Sequence, residues 1–277
     1  MRLLHFILSH SVFSSLCAVA LCYQTTILLH IPAKALLYVF VFFSTLCSYN
    51  FYWLISKYAF SKKLPLSRFI KNNFSYIFLF SLAGMGMAYC LYFLPLIYPL
   101  VVIAVALTLL YSLPLWPLKI AIYLRKAGIF KTILLAFTWT FVTVVIPAQP
   151  VLQAETTAVI TLSTARFFFM LMLCTIFDKR DISVDKMHGL QSLATDVSKG
   201  SLSTIMLLAF MIYVSAGFFV RYQFSDTCQL IAFLITGLAV GWVYRLSLKQ
   251  QGYVFYYFIV DGLMLFSAGA TFIASLL

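Results

Sequence analysis

Residues 177–200 read FDKRDISVDKMHGLQSLATDVSKG, and the acidic side chains in this stretch decide how the sequence is interpreted. The stretch holds Asp178, Asp181 and Asp185, three of only seven acidic residues among 277, with Asp196 close behind. On a helix the spacing i, i+3, i+7 places these three carboxylates within about 60° of one another, as one acidic stripe. Rare acids clustered at the end of an apolar helix indicate a bound cation or a cation-chelated phosphate. The alternative is a solvated loop in which neighbouring basic residues balance the acids.

Composition indicates an all-α, polytopic integral membrane protein and excludes a water-soluble globule. Hydrophobic residues make up 64% of the chain and charged residues 9%, whereas an ordinary soluble domain has about 25% charged residues. The net charge of +12 does not indicate nucleic-acid binding, because the basic residues occupy short loops between apolar segments. A helix needs roughly 20 apolar residues to cross a bilayer. We predict a single domain over residues 1–277 with about nine spans, at 8–29, 35–56, 74–94, 96–113, 130–149, 156–177, 202–220, 228–246 and 254–275.

The distribution of lysine and arginine predicts the orientation of these spans. Of the 19 basic residues, 16 fall on one face of a nine-span arrangement, Lys34 and Arg221 fall on the other, and Arg166 lies within a span. The positive-inside rule then predicts a cytoplasmic N-terminus. We expect a multi-pass protein of the cytoplasmic membrane of a prokaryote. The acidic stripe would lie in the third of four cytoplasmic loops.

Two sequence patterns together resemble the UbiA superfamily of intramembrane prenyltransferases. Residues 178–193, in the pattern D-x-x-D-x-x-x-D-x-x-x-G-x-x-S-L with Lys186 after the last aspartate, are similar to the second aspartate-rich motif of that family. Residues 111–119, YSLPLWPLK, are similar to the family's YS-x-P-x-x-LK segment after the fourth span. Nine predicted helices with both patterns in matching inter-span regions extend the resemblance over nearly the whole chain.

The resemblance implies a helical bundle in which two aspartate-rich stripes face each other across a cavity. In that family the stripes hold Mg²⁺ ions, and these ions chelate the diphosphate of a polyprenyl donor. Metal binding neutralises the leaving group as the allylic C–O bond breaks. Carried over to this sequence, the resemblance implies that Asp178, Asp181 and Asp185 are metal and diphosphate ligands and that an active enzyme uses magnesium.

The same resemblance implies further contacts and partners. Lys119 would contact the diphosphate, and Tyr111 and Arg125 are further candidates in the same loop. The implied partners are an isoprenoid diphosphate donor, a lipophilic acceptor and the surrounding membrane lipid.

The first aspartate-rich motif of the family, N-D-x-x-D-x-x-x-D, is largely missing. It should fall in residues 50–58, NFYWLISKY, where only Asn50 matches. The three aspartate positions are occupied by the uncharged residues Phe51, Leu54 and Tyr58, and Lys57 adds a positive charge. The departure disfavours an ordinary two-metal centre. It leaves a single Mg²⁺, held by the second motif and by diphosphate oxygens, as the arrangement that the sequence allows.

Two charged residues lie inside predicted spans. Arg166 precedes Asp178 by twelve residues, which places it roughly 18 Å deeper along a helix. A lone arginine at mid-bilayer costs about 2.5–3.5 kcal/mol, so its side chain should face the bundle interior. Asp261 lies in the ninth span. We expect the two side chains to meet, either as an ion pair that fixes helix packing or as a polar cavity floor that contacts a substrate head group.

Three functions are compatible with these patterns. The first is a UbiA-like prenyltransferase that transfers a prenyl group from an isoprenoid diphosphate to a lipophilic acceptor, with a divergent metal site. The alternative is a non-catalytic isoprenoid- or lipid-binding membrane protein of the same fold. A transporter or channel is the third, and its main support is the expected Arg166–Asp261 pair. The sequence leaves open whether the protein catalyses a reaction, as well as donor length, acceptor, pathway and oligomeric state.

Overall fold

The computed structural model describes residues 2–32, 34–60, 65–112, 128–188, 193–224 and 227–277. Within these ranges the regular structure is helical and no strand occurs, which confirms the predicted all-α class. The α-helices are α1 (Arg2–Ser9), α2 (Val12–Leu28), α3 (Ala35–Phe60), α4 (Leu66–Asn72), α5 (Phe74–Tyr92), α6 (Tyr98–Ser112), α7 (Gly128–Thr140), α8 (Thr156–His188), α9 (Leu193–Asp196), α10 (Lys199–Phe224), α11 (Thr227–Ser247) and α12 (Asp261–Ala274). Short 3₁₀ turns lie at Pro95–Ile97 and Gln149–Val151, and π-helical turns at Phe141–Val145 and Phe255–Val260.

The described helices confirm a multi-pass membrane protein. Eight of them, counted with their adjoining turns, are long and apolar enough to cross a membrane, and the bent pair α1–α2 makes a ninth if it forms one span. The axes of α1 and α2 differ by 64°. The bend occurs at Ser11, whose φ of 60° is left-handed and therefore interrupts the helix.

The acidic stripe lies on a helix rather than in a loop. The sequence predicted that the sixth span ends at residue 177, but α8 continues without a break for 33 residues. Residues 178–188 contain no glycine or proline, so nothing in the covalent structure stops the helix there. The helix therefore extends to His188, beyond the predicted end of the span, and Asp178 and Asp181 are positioned by this end of α8.

The bundle is built around α8, which is the most buried of the candidate spans. It packs against α7 and α10, while α2 packs against α3 and α12. Close packing of α3 against α5 depends on Gly86, because a Cβ atom at this position would lie 2.6 Å from the ring of Phe43. These contacts leave a space between α3, α5, α6, α7, α8 and the start of the ninth span.

The expected Arg166–Asp261 ion pair does not form in the described part of the chain. The Arg166 Nη2 donates to the carbonyl oxygen of Leu21 at 3.2 Å, whereas Asp261 accepts a hydrogen bond from Ser14. Both partners belong to α2, but Ser14 and Leu21 are seven residues apart, which corresponds to about 10 Å along the helix. The two charges therefore reach the same helix at different depths in the bundle.

Candidate functional site

A cavity of about 980 Å³ lies between these helices. Its interior is apolar and aromatic, and its lining there includes Phe40, Phe51, Phe80, Met87, Val101, Trp139 and Met170. Five charged lining residues lie near the last turns of α3 and α8 and the first turn of α7. We call these residues the charged end of the cavity: Lys57, Lys131, Asp178, Arg180 and Asp181.

Asp178 ties three helices together at the charged end. Its Oδ2 accepts hydrogen bonds from the Thr132 hydroxyl of α7 and from the backbone N–H of Leu193 in α9, the latter at 3.3 Å. Thr132 and Leu193 are both buried. One oxygen of this carboxylate is therefore committed to holding α7 and α9 against α8.

Asp181 forms an ion pair with its sequence neighbour Arg180. The Arg180 Nε and Nη2 atoms donate to the two carboxylate oxygens at 2.6 and 2.7 Å. The guanidinium also packs over three rings, with its carbon 5.1 Å from the Phe177 centroid, 5.4 Å from that of Tyr256 and 4.7 Å from that of Tyr257. Because a bidentate arginine occupies both oxygens, Asp181 is neutralised within the protein.

Of the other residues implied by the resemblance, some line the cavity and others lie outside the described part of the structure. Tyr111 lines the cavity, with its ring centroid 5.1 Å from that of Tyr52 and 5.9 Å from the Lys131 Nζ. Asp185 lies on α8, but its side chain is outside the described part of the structure. Lys119 and Arg125 also lie outside the described residues. The structure therefore brings Tyr111, Asp178 and Asp181 to one cavity and leaves the other predicted ligands as predictions.

The facing helix α3 presents aromatic and basic groups where the family has its first aspartate stripe. The ring of Phe51 stacks on that of Phe80 with centroids 6.0 Å apart, and Tyr58 is exposed and contacts Phe69. The Lys57 Nζ lies 3.6 Å from the centroid of the Tyr76 ring, which is a cation–π contact. This side of the cavity contributes positive charge and no carboxylate.

The described residues do not fit a two-metal magnesium centre. Within the described ranges, no group of three or more His, Cys, Asp or Glu side chains is arranged to hold a metal ion. Asp181 is bonded to Arg180, Asp178 is bonded to Thr132 and Leu193, and the opposite wall carries Lys57. Mg²⁺ requires oxygen ligands in near-octahedral geometry, and these groups offer few. Magnesium remains a prediction of the resemblance.

Asn50 has a structural position. Its side chain is fully buried, and its Nδ2 donates to the carbonyl oxygens of His10 at 3.3 Å and Leu46 at 2.8 Å. His10 lies at the bend between α1 and α2, so Asn50 fastens this bend to α3.

Arg166 is also buried, and its Nη1 has no hydrogen-bond partner within the described residues. Of the three further candidates from the sequence, only Asp261 lines the cavity.

A tyrosine cluster beside the charged end was not predicted from the sequence. Tyr253 and Tyr257 have ring centroids 4.3 Å apart and both line the cavity. Burial, followed by the proximity of Tyr257 and Tyr76, raises the pKa of the Tyr253 hydroxyl to about 12. At neutral pH this hydroxyl is protonated and can donate a hydrogen bond. The run GYVFYYF at 252–258 was the available signal, and the π-helical turn at Phe255–Val260 alters its register.

Comparison with known proteins identifies the fold. No protein-family model matches the sequence, and no curated protein matches it. Among solved structures, the chain is similar to the apo structure of a UbiA homolog from Aeropyrum pernix K1, with a TM-score of 0.65 and 14% sequence identity over 98% of this chain and 99% of that chain. The chain therefore has a UbiA-like fold, which confirms the resemblance at the level of the fold.

Proposed function

We propose that this chain is a UbiA-like prenyltransferase that moves a prenyl group from an isoprenoid diphosphate to a lipophilic acceptor within the membrane. The observation that carries the proposal is that one cavity combines a charged end with an apolar and aromatic interior. An isoprenoid diphosphate has the matching shape, since an anionic head is joined to an apolar tail. We place the charged end on the cytoplasmic side, as the lysine and arginine distribution predicts.

The charged end suits an anionic head group. Three cations line it, Lys57, Lys131 and Arg180, against the two carboxylates of Asp178 and Asp181, which leaves one positive charge in excess. This excess comes from Lys57 and Lys131 against Asp178, because Arg180 and Asp181 pair with each other. Lysine contacts with phosphate oxygens are charge-assisted and are stronger than neutral hydrogen bonds.

The interior suits the tail and the reaction. Each buried CH₂ group contributes about 0.8 kcal/mol of transfer free energy, so several isoprene units would bind well against α5 and α6. As the allylic C–O bond breaks, positive charge develops on the carbon and negative charge on the diphosphate. The rings of Tyr49, Tyr52 and Trp139 line the cavity and would stabilise the carbon centre through cation–π attraction. Lys57 and Lys131 would stabilise the departing diphosphate.

A non-catalytic isoprenoid- or lipid-binding protein is the second candidate. It is favoured by the bidentate Arg180–Asp181 pair, which occupies a carboxylate of the second motif, and by the aromatic stripe on α3. The transporter hypothesis loses its main support, because Arg166 and Asp261 bind different residues of α2.

Release of diphosphate separates the two candidates. We expect the purified protein in lipid nanodiscs to bind farnesyl or geranylgeranyl diphosphate and to release diphosphate when a lipophilic acceptor is added. Because the described residues supply cations and no metal cluster, removal of divalent cations with EDTA should weaken donor binding by less than about tenfold, or about 1.4 kcal/mol.

The matching prenyl alcohol is the control for the head group, and we expect it to bind more weakly than the diphosphate. Donor binding without release, over a panel of acceptors, would favour the non-catalytic candidate. A protein that binds no prenyl diphosphate, with or without Mg²⁺, would contradict both.

A further inference from the structure

Asp261 lines the cavity at a point where the helix is irregular. It is the first residue of α12 and directly follows the π-helical turn at Phe255–Val260. π-Helical turns inside α-helices are frequent at functional sites. The side chain is only 7% exposed and lines the cavity. Its Oδ2 accepts a hydrogen bond from the Ser14 hydroxyl at 2.7 Å, and no donor of the described chain reaches its Oδ1.

Within the described ranges no cation forms a salt bridge with this carboxylate, although Arg180 is near enough to attract it electrostatically. The salt bridge found in the described ranges joins Arg180 to Asp181, and Arg166 is turned towards Leu21. Burying an ionised carboxylate without a partner is costly, and an acidic residue inside a membrane span is by default a candidate functional group. Within the described ranges, the Asp261 Oδ1 is thus an acceptor without a hydrogen-bond donor.

The position of Asp261 relative to the charged end indicates what it contacts. Tyr257, whose ring lies beneath the Arg180 guanidinium at 4.7 Å, precedes Asp261 by four residues. Asp261 is therefore about 6 Å deeper along the span, one helical turn from the charged end. A donor with its diphosphate at the charged end would place its allylic carbon near this level. The nucleophile of the acceptor must lie within about 3–3.5 Å of that carbon to react.

We propose that Asp261 binds the acceptor by accepting a hydrogen bond from the hydroxyl group of a neutral phenol or alcohol, an inference that rests on the prenyltransferase function proposed above. The acceptor oxygen forms a bond to the allylic carbon while the bond from that carbon to the diphosphate oxygen breaks. The diphosphate leaves with the bonding electron pair, and the hydroxyl proton passes to the Asp261 Oδ1. An acceptor that carries a carboxylate next to Asp261 is excluded by charge repulsion, which is strong where water is scarce.

The test compares a long-chain alkylphenol with the corresponding alkylbenzoate, using geranylgeranyl diphosphate as donor and protein in nanodiscs. In the wild-type protein we expect diphosphate release with the phenol and not with the benzoate. Asp261→Asn keeps the shape but removes a negative charge, so donor affinity should not fall, whereas phenol-dependent release should fall by about tenfold to a hundredfold, the value of a charge-assisted hydrogen bond. We also expect the alkylbenzoate to bind to the Asp261→Asn variant.

Asp196→Asn is the matched control, because Asp196 is exposed and does not line the cavity. Asp261→Glu keeps the charge but moves it by one methylene, so it should lower phenol-dependent release and still exclude the benzoate. If Asp261→Asn does not fold, Asp261→Glu tests the role of Asp261 in its place. If the Asp261 variants released diphosphate at the wild-type rate and still discriminated between phenol and benzoate, the inference would be overturned. The proposed prenyltransferase function would not be affected. Failure of the wild-type protein to bind the donor would remove both.

Discussion

Replacement of Lys57 by glutamine should weaken the binding of geranylgeranyl diphosphate by about tenfold to a hundredfold, since a hydrogen bond to a charged group contributes about 1.5–3 kcal/mol. Lys57 lines the charged end of the cavity, and its Nζ is held over the Tyr76 ring rather than by a carboxylate. A cation–π contact leaves the ammonium able to donate to phosphate oxygens. Isothermal titration with protein in nanodiscs measures the effect.

Lys34→Gln is the matched control for Lys57→Gln. Lys34 precedes the other end of α3 and is exposed, so the same change of charge occurs at the far side of the same helix. We expect Lys34→Gln to bind like the wild-type protein and Lys57→Arg to recover most of the affinity. Equal affinities of Lys57→Gln and Lys34→Gln for the diphosphate would show that the head group lies elsewhere.

Replacement of Ala104 by tryptophan should shorten the donor that the cavity accepts. Ala104 lines the apolar part of the cavity on α6, beside Val101 and Thr108. A tryptophan side chain there would displace about three methylene groups of a long tail, at about 0.8 kcal/mol each. The affinity for geranylgeranyl diphosphate should therefore fall by about fiftyfold. Geranyl diphosphate, whose tail is shorter, should keep its affinity. Titrations with both donors give the ratio directly.

The control for this substitution is Ala106→Trp. Ala106 lies two residues further along the same helix, is exposed and does not line the cavity, so the added ring would point away from the donor. Thermal unfolding of both variants establishes whether the fold tolerates each change. If Ala104→Trp weakened both donors equally, or if Ala106→Trp had the same effect, the tail would not lie along α6.

Hydrophobic composition was sufficient to predict the fold class, because each span needs only a run of apolar residues. The ends of elements depended on local chemistry that the apolar pattern does not report. A helical stripe and a solvated loop were both compatible with the charged residues 178–188, and without glycine or proline these residues continue α8. The bend before α2 was also not predicted, because it occurs at Ser11, and serine has no preference for a left-handed conformation that the sequence could show.

Only part of the candidate site could be predicted. The spacing of Asp178 and Asp181 placed both on one face, and the structure has both lining one cavity. Their partners could not be predicted, because the bond from Thr132 to Asp178 depends on how α7 packs on α8. The prediction of an Arg166–Asp261 pair was wrong for a related reason. The position of a charge along a span limits its depth, but it does not say which residue of α2 will face it.

Photolabelling can show whether an isoprenoid diphosphate occupies the cavity. The probe is a geranylgeranyl diphosphate analogue with a diazirine in its tail, and the adducts are mapped by mass spectrometry. We predict adducts on Phe80, Met87 and Val101, which line the cavity, and their loss with excess unlabelled donor. Adducts confined to exposed residues such as Met211 and Trp242, unchanged by excess donor, would contradict this prediction.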